Sequence, residues 1–371
     1  MTVILYGSPV SLYTGKVRSY FIKAQIPFRE VAPVSDHYED VVLKKAGSRR
    51  GIPTIELSDG QIIRDSVAIV DHFEAELGSP FTPATPKQKA ISLLFDAIGG
   101  EGLLRPALHY RWHFPENESL VLHHFKEITP RNAAPEFTLA GRVNKMQQAC
   151  INVGVSQDRV ELVESLYLGL LKKLDAHFEL YPYLLGGKPS IGDFALMGPM
   201  YGHLSRDLKP LTLMHEYGLH VLRWVERMNR ADPGFSAGHA PEEDFLSNDE
   251  IPETLLEVLR HFAIDFVPET EAICDGVNNW IDSQAELDSG TNVEIALEGM
   301  TSFDIEGKHM SSVLMPFRFY LLKRLQDEVA TSSAAVSQEL IQLLESANMK
   351  ELLEMTLTRG IGRAHNREVW Q

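Results

Sequence analysis

The residues best suited to chemistry in this 371-residue chain fall within its first eighty positions. Gly51-Ile52-Pro53-Thr54 sets a proline between apolar strand formers, where it cannot donate to a sheet ladder. A cis Ile52–Pro53 bond in a tight turn accommodates it and offers the Ile52 N–H and C=O to an extended peptide, as an added strand would use them. Twelve residues after Pro53, Asp65-Ser66 opens a helical run that continues to Phe73. A hydroxyl and free N–H groups at a helix start suit a carboxylate, and the neighbouring Asp65 suits an ammonium. One amino-acid end carries both charges.

The elements that must hold these groups follow from the apolar pattern. Thr2 to Tyr6 is a short strand, and Gly7-Ser8-Pro9 ends it. Ser11 stands before Leu12 to Ile22, whose apolar residues recur at helical spacing. Pro27 to Val31 and Gln61 to Ile63 read as further strands. The order is β-α-β-α-β-β-α, with a cis proline before the third strand. With the strings SPVSLYTGKVR, GIPTIEL and the DS pair after DGQIIR, residues 1–80 resemble the thioredoxin-like N-terminal domain of the glutathione transferase superfamily, in its serine-type form.

The resemblance implies glutathione as co-substrate and gives each residue a role. Ile52 supplies main-chain hydrogen bonds to the cysteinyl part, and Pro53 holds the loop. Asp65 and Ser66 take the γ-glutamyl amine and carboxylate. Arg50, with Arg49 beside it, faces the glycyl carboxylate; the Lys or Gln common before the Ile-Pro pair is Gly51 here. A free thiol has a pKa of about 8.5, so a donor to the thiolate is needed. The catalytic candidate is Ser11; Ser8, Tyr6 and Tyr13 are its rivals. An ordinary helix N-cap is the competing reading of Ser11. Serine at this position, in place of cysteine, excludes a mixed disulfide there and favours thioether formation.

Beyond the Pro-rich segment Ser79 to Pro86 the chain reads as helical, with a strong amphipathic helix over 160–180. Ser190 and Asp193 have the spacing of an N-cap and its reciprocal partner, as in the helical domain of the resembled family, and Val221 to Met228 closes that domain. Its stretch from Arg105 to Phe114 is rich in aromatic and basic groups. Arg105, His109 and Trp112 are therefore candidates for the electrophile site, against a reading in which Trp112 packs in the core and the polar groups face water. His109 and His113 are one helical turn apart, and His123-His124 follow, but no HExxH-type carboxylate accompanies them, so no metal is expected.

About 130 residues then follow the usual family length. Helices are expected at Ile251–Phe266, Val313–Leu325 and Gln338–Thr358, a linker at Phe235–Ser247, and a short hairpin around Val293 to Leu297 and the turn Ile305-Glu-Gly-Lys. The expected architecture is an α/β thioredoxin-like domain over 1–80, an all-α domain over 87–235 and a mainly helical extension over 248–371. The extension is read as covering the site mouth, extending a dimer interface or binding a partner.

Net charge is −16, and residues 242–300 carry sixteen Asp or Glu against the single base Arg260. No basic stripe exists for nucleic acid, and the acidic block reads as a solvated face. No apolar run reaches the length of about 18 residues that a membrane span needs. Two distant cysteines, Cys150 and Cys274, make no disulfide framework, and the chain enters a strand without a signal-like segment, so a cytoplasmic protein is expected. The resemblance implies a homodimeric enzyme that directs the glutathione thiolate at an electrophilic, aromatic-tolerant small molecule. The alternatives are a dehalogenase, ether-cleaving enzyme, isomerase or peroxidase using the same site, and a non-catalytic binding or assembly protein.

Overall fold

The computed structural model describes residues 2–232, 244–293, 297 and 299–371. Most of the expected linker Phe235–Ser247, and Glu294 to Ala296 of the expected hairpin region, lie outside the described residues.

Strand β1 (Val3–Tyr6) sits centrally in a four-stranded sheet of order β2-β1-β3-β4. It runs parallel to β2 (Phe28–Val31) and antiparallel to β3 (Thr54–Glu56), with Leu5 opposite Ile55. Strand β4 (Ile62–Arg64) forms the edge, one residue further along than the sequence pattern places it. Ile52–Pro53 is cis, immediately before β3. Helix α1 (Leu12–Lys23) buries Val17, Tyr20 and Phe21, and Ser11 is its N-cap. A short turn α2 (Leu43–Lys45) precedes β3. Helix α3 (Ser66–Leu77) starts at Asp65, whose carboxylate accepts from the N–H groups of Val67 and Ala68. It ends at Gly78 with φ 76°, a left-handed cap that glycine adopts without strain. This is the expected thioredoxin-like arrangement.

The helical region comprises α4 (Pro86–Ala97), α5 (Leu104–Trp112), α6 (Glu118–Glu127), α7 (Leu139–Asn152), α8 (Val160–Leu180), α9 (Ile191–Pro199), α10 (Leu208–Tyr217) and α11 (Leu219–Met228). The 160–180 periodicity corresponds to α8 residue for residue. Asp193 is fully buried, and burial raises its pKa. Four donors surround its carboxyl: Ser190 N–H and Oγ–H, Leu184 N–H and Trp224 Nε1–H, at 2.8–3.1 Å. The role of this group is architectural.

The extension folds back over both parts. Helix α12 (Glu253–Ser283) runs 31 residues, straight past Pro268, where the sequence pattern suggested an end at Phe266. Strands β5 (Met300–Ile305) and β6 (Lys308–Val313) pair around Glu306 and Gly307, both at positive φ. The expected Val313–Leu325 helix begins later, as α13 (Phe317–Thr331). The expected 338–358 helix is instead α14 (Ala334–Ser346), stopped where Asn348 turns to φ 56°. The last residues form a hairpin that the sequence reading missed, β7 (Ile361–Ala364) and β8 (Arg367–Trp370), turning through His365 and Asn366 at positive φ.

One continuous apolar core runs from Val3 to Trp370 through all three parts. Polar ties reinforce it. Asp249 caps α4 by accepting the N–H groups of Lys87 and Gln88 at 2.9 Å. Asp96 on α4 is paired by Lys16 of α1 and by Arg324 of α13, which also holds Asp71 of α3 at 2.8 Å. The acidic block is thus only partly a solvated face. Within it, the partly buried Asp265 and the buried Glu269 are counterions of Arg105, and Glu269 also binds Arg318. No helix among the described residues is long and apolar enough to cross a membrane.

Candidate functional site

A cavity of about 400 Å³ opens between the start of α3 and the extension, within the size range of small-molecule sites. The N-terminal domain contributes Tyr13, Lys16, Arg49, Asp65 and Ser66, and the turn after α4 contributes Gly100 and Glu101. The extension contributes an apolar wall that includes Leu314, Met315, Phe317 and Leu321, and the terminal hairpin adds Ile361 and Glu368.

The Asp65-Ser66 pair is positioned by its backbone. Asp65 has φ 86° and donates its N–H to Pro53 O at 3.1 Å, which ties the helix start to the cis-proline turn. Ser66, buried, begins α3 with its hydroxyl at the helix N-terminus. These are the groups expected to meet an amino-acid end. Their surroundings are not those expected. Arg363 of the hairpin lies 3.3 Å from Asp65 Oδ1 and donates to Arg64 O at 2.8 Å. Glu368 holds Arg49 at 3.3 Å, Arg64 at 3.1 Å and Arg363 at 2.7 Å. This crowd of cations keeps the Glu368 carboxyl below its ordinary range against the opposing effect of burial. Burial, then Arg64, brings Arg49 down to about 10. The Asn366 side-chain amide completes the fastening, accepting Arg64 N–H at 3.1 Å and donating to Ile62 O at 3.0 Å, so it pairs the open edge of β4 much as a strand would.

The remaining sequence-derived candidates divide. Arg49, not Arg50, lines the cavity. Arg50 turns away to Glu39 and Pro33 O and lies over the Tyr38 and Phe137 rings. Ile52 and Pro53 are in the turn beside the cavity without forming its wall. Ser11 accepts Thr14 N–H at 3.3 Å, the N-cap contact, and is not among the lining residues, although Tyr13 two positions on is. Tyr13 donates to Gly100 O at 3.2 Å, and burial raises its pKa well above the ordinary value. Tyr6 donates to Glu56, and Ser8 is buried behind the loop.

Arg105, His109 and Trp112 do not reach the cavity. Arg105 is buried against Asp265 and Glu269 of α12, and its side chain is a structural counterion. His109 Nε2 meets Glu164 at 2.9 Å and its Nδ1 faces His113 at 2.9 Å, while Trp112 packs on Phe125. The acidic partners of Arg105 and His109 lie 55 to 164 positions away, so the helix pattern alone could not reveal them. Among the described residues, one group could share an ion: His123, His124 and Glu127 on α6, away from the cavity. The residue that the sequence reading overlooked is Glu101. It follows Gly99-Gly100 in a loosened turn between α4 and α5, with no motif to mark it.

Residues 5–81 match the family model of the glutathione S-transferase N-terminal domain. Residues 5–81 thus form a domain of the glutathione S-transferase N-terminal family. Solved structures similar to it include a glutathione S-transferase-like protein from Pseudomonas syringae, 18% identical with a TM-score of 0.42. That match spans 61% of this chain and 66% of the other. A glutathione S-transferase from Methylobacterium radiotolerans, in complex with glutathione sulfonate, is 16% identical over 62% of this chain and 90% of its own, with a TM-score of 0.37. A Tau-class glutathione S-transferase from mango is 20% identical over 62% and 89%, with a TM-score of 0.35. No curated protein matches the chain. The family match ends at residue 81, just past α3, so Tyr13, Lys16, Arg49, Asp65 and Ser66 of the cavity lie inside it, and the apolar wall lies beyond it.

Proposed function

We propose that the cavity binds glutathione and that the protein directs its thiolate at an electrophilic small molecule held against the apolar wall. The observation that carries this reading is the Asp65-Ser66 pair at the α3 N-terminus, facing a cavity that also holds Arg49. Ser66 and the helix start take the γ-glutamyl carboxylate, Asp65 the ammonium, and Arg49 the glycyl carboxylate. Ile52 pairs with the cysteinyl backbone, with Pro53 setting the turn. Ser11 is the donor to the thiolate: as an N-cap its oxygen accepts Thr14 N–H, which leaves the hydroxyl proton to donate. The electrophile subsite moves from Arg105, His109 and Trp112 to the extension. The same proposal includes a cytoplasmic homodimer, and divides the chain near residues 80 and 235–248. The test is a thiol titration of the glutathione complex. Ser11→Ala is expected to raise the bound thiol pKa by one unit or more; an unchanged pKa removes Ser11 from the role.

A second reading, a non-catalytic or self-occluded member, is favoured by one observation. Arg363 and Glu368 already give Asp65 and Arg49 the partners that the ligand would supply. Glutathione binding to Arg363→Ala separates the two readings.

A further inference from the structure

Glu101 is more than nine-tenths buried, yet it lines the cavity where the polar and apolar walls meet. Among the described residues its carboxylate makes no hydrogen bond. Arg318, the cation nearest in effect, gives it no side-chain contact: its guanidinium donates to Glu269 at 2.8 Å, to Thr270 at 2.9 Å and to the Glu101 backbone carbonyl at 3.5 Å. A buried, accessible and uncommitted carboxyl is rare, because burial of a charge without a partner is costly.

We propose that Glu101 is the proton carrier of this cavity, acting when attack by sulfur breaks a carbon–oxygen bond, as in a strained cyclic ether. This inference rests on the glutathione reading of the site. The Glu101 carboxylate takes the thiol proton. The sulfur lone pair then forms the C–S bond, and the C–O bonding pair leaves with oxygen. Glu101 returns its proton to that oxygen, which gives a hydroxy thioether and restores the carboxylate. Atoms and charge balance, nothing is oxidised, and no third reactant is required. An alkoxide is a poor leaving group in a water-poor site, so a proton delivered during C–O cleavage is where an acid matters most.

The surroundings suit the task. Burial pushes the Glu101 carboxyl up to about 7, Glu269 and Asp65 push in the same direction, and Arg318 opposes them. Near neutral pH both forms are therefore populated, as a group that accepts and returns a proton needs. Lys16, Arg49, Asp96 and Glu368 also line the cavity, each already paired: Lys16 with Asp96, Arg49 with Glu368. Tyr13, the other acidic hydroxyl in the wall, is committed to Gly100 O.

The test compares two electrophiles at pH 7, with wild type and Glu101→Gln. Styrene oxide needs a proton on its leaving oxygen; 1-chloro-2,4-dinitrobenzene releases chloride and needs none. Glu101→Gln is expected to bind glutathione within about threefold of wild type. It is expected to lose roughly 10²-fold or more in kcat/KM on the epoxide, and at least tenfold less on the chloride. Equal losses on both substrates, or no loss on the epoxide, overturn the proposal. Wild type alone provides a second test should the variant not fold. The ratio of epoxide to chloride rate is expected to fall as pH rises above about 7, and a flat ratio overturns the proposal. Absence of glutathione binding to wild type fails the underlying reading, a result distinct from either outcome for Glu101.

Discussion

The two walls of the cavity are built on different physical terms. The N-terminal wall is backbone-determined: Asp65 and Ser66 are placed by a helix start, a cis-proline turn and the Asp65 N–H bond to Pro53 O. The extension wall is determined by long-range side-chain packing and ion pairs, such as Arg105–Glu269–Arg318 and the Arg363–Glu368 group. The first is local and can be read from a short string. The second depends on residues distant in sequence, Arg105 meeting Glu269 across 164 positions and Arg64 meeting Glu368 across 304, and it decides how open the site is.

Damage to the second kind of construction should be the more severe. Glu269→Ala strips the carboxylate from two buried guanidiniums, Arg105 and Arg318, and should lower stability by about 3–5 kcal/mol in denaturant unfolding. A loss under 1 kcal/mol would show that the extension is not held by this group.

Glu101 tests the junction between the walls. The folded carboxyl keeps its proton up to about pH 7, against an ordinary value of 4.5. The unfolded chain therefore binds fewer protons across that window, and stability falls as pH rises through it. Glu101→Gln should remove up to about 3 kcal/mol of this pH dependence, read as a flatter melting temperature between pH 5 and 8. An unchanged slope would place the titration elsewhere.

The N-terminal wall is probed by ligand. Ser66→Ala should weaken glutathione binding about tenfold or more, the size of one hydrogen bond to a charged group, with little change in melting temperature. The smallest effect concerns the contest between the walls. Arg363→Ala frees Asp65 from its 3.3 Å partner and should tighten glutathione binding severalfold by calorimetry. Weaker binding would make Arg363 a ligand contact instead of a competitor.

The same contrast explains what could be read from sequence. The β-α-β-α-β-β-α order, the cis Ile52–Pro53 bond and helix 160–180 follow from local pattern, and the structure has them. The turn at Glu306–Gly307 was visible because glycine accepts positive φ; the His365-Asn366 turn carries no glycine and was overlooked. The amphipathic pattern runs on through Leu344 and Leu352, both buried, although the backbone breaks between them at Asn348. Periodicity reports the buried face and not the continuity of the helix. Arg105, His109 and Trp112 share α5, which a loosened turn separates from the run that begins near Lys87, and what they face is set by α12, Glu164 and Phe125. Glu101 had no signal at all, since a single carboxylate after two glycines becomes unusual only once the extension buries it.

The central claim is that the cavity at the α3 N-terminus is a glutathione site. Calorimetric titration of wild type and Ser66→Ala with glutathione in reducing buffer tests it most directly. Saturable binding to wild type, weakened at least tenfold in Ser66→Ala, is the predicted result. No binding at millimolar glutathione, or equal binding to both proteins, would contradict it.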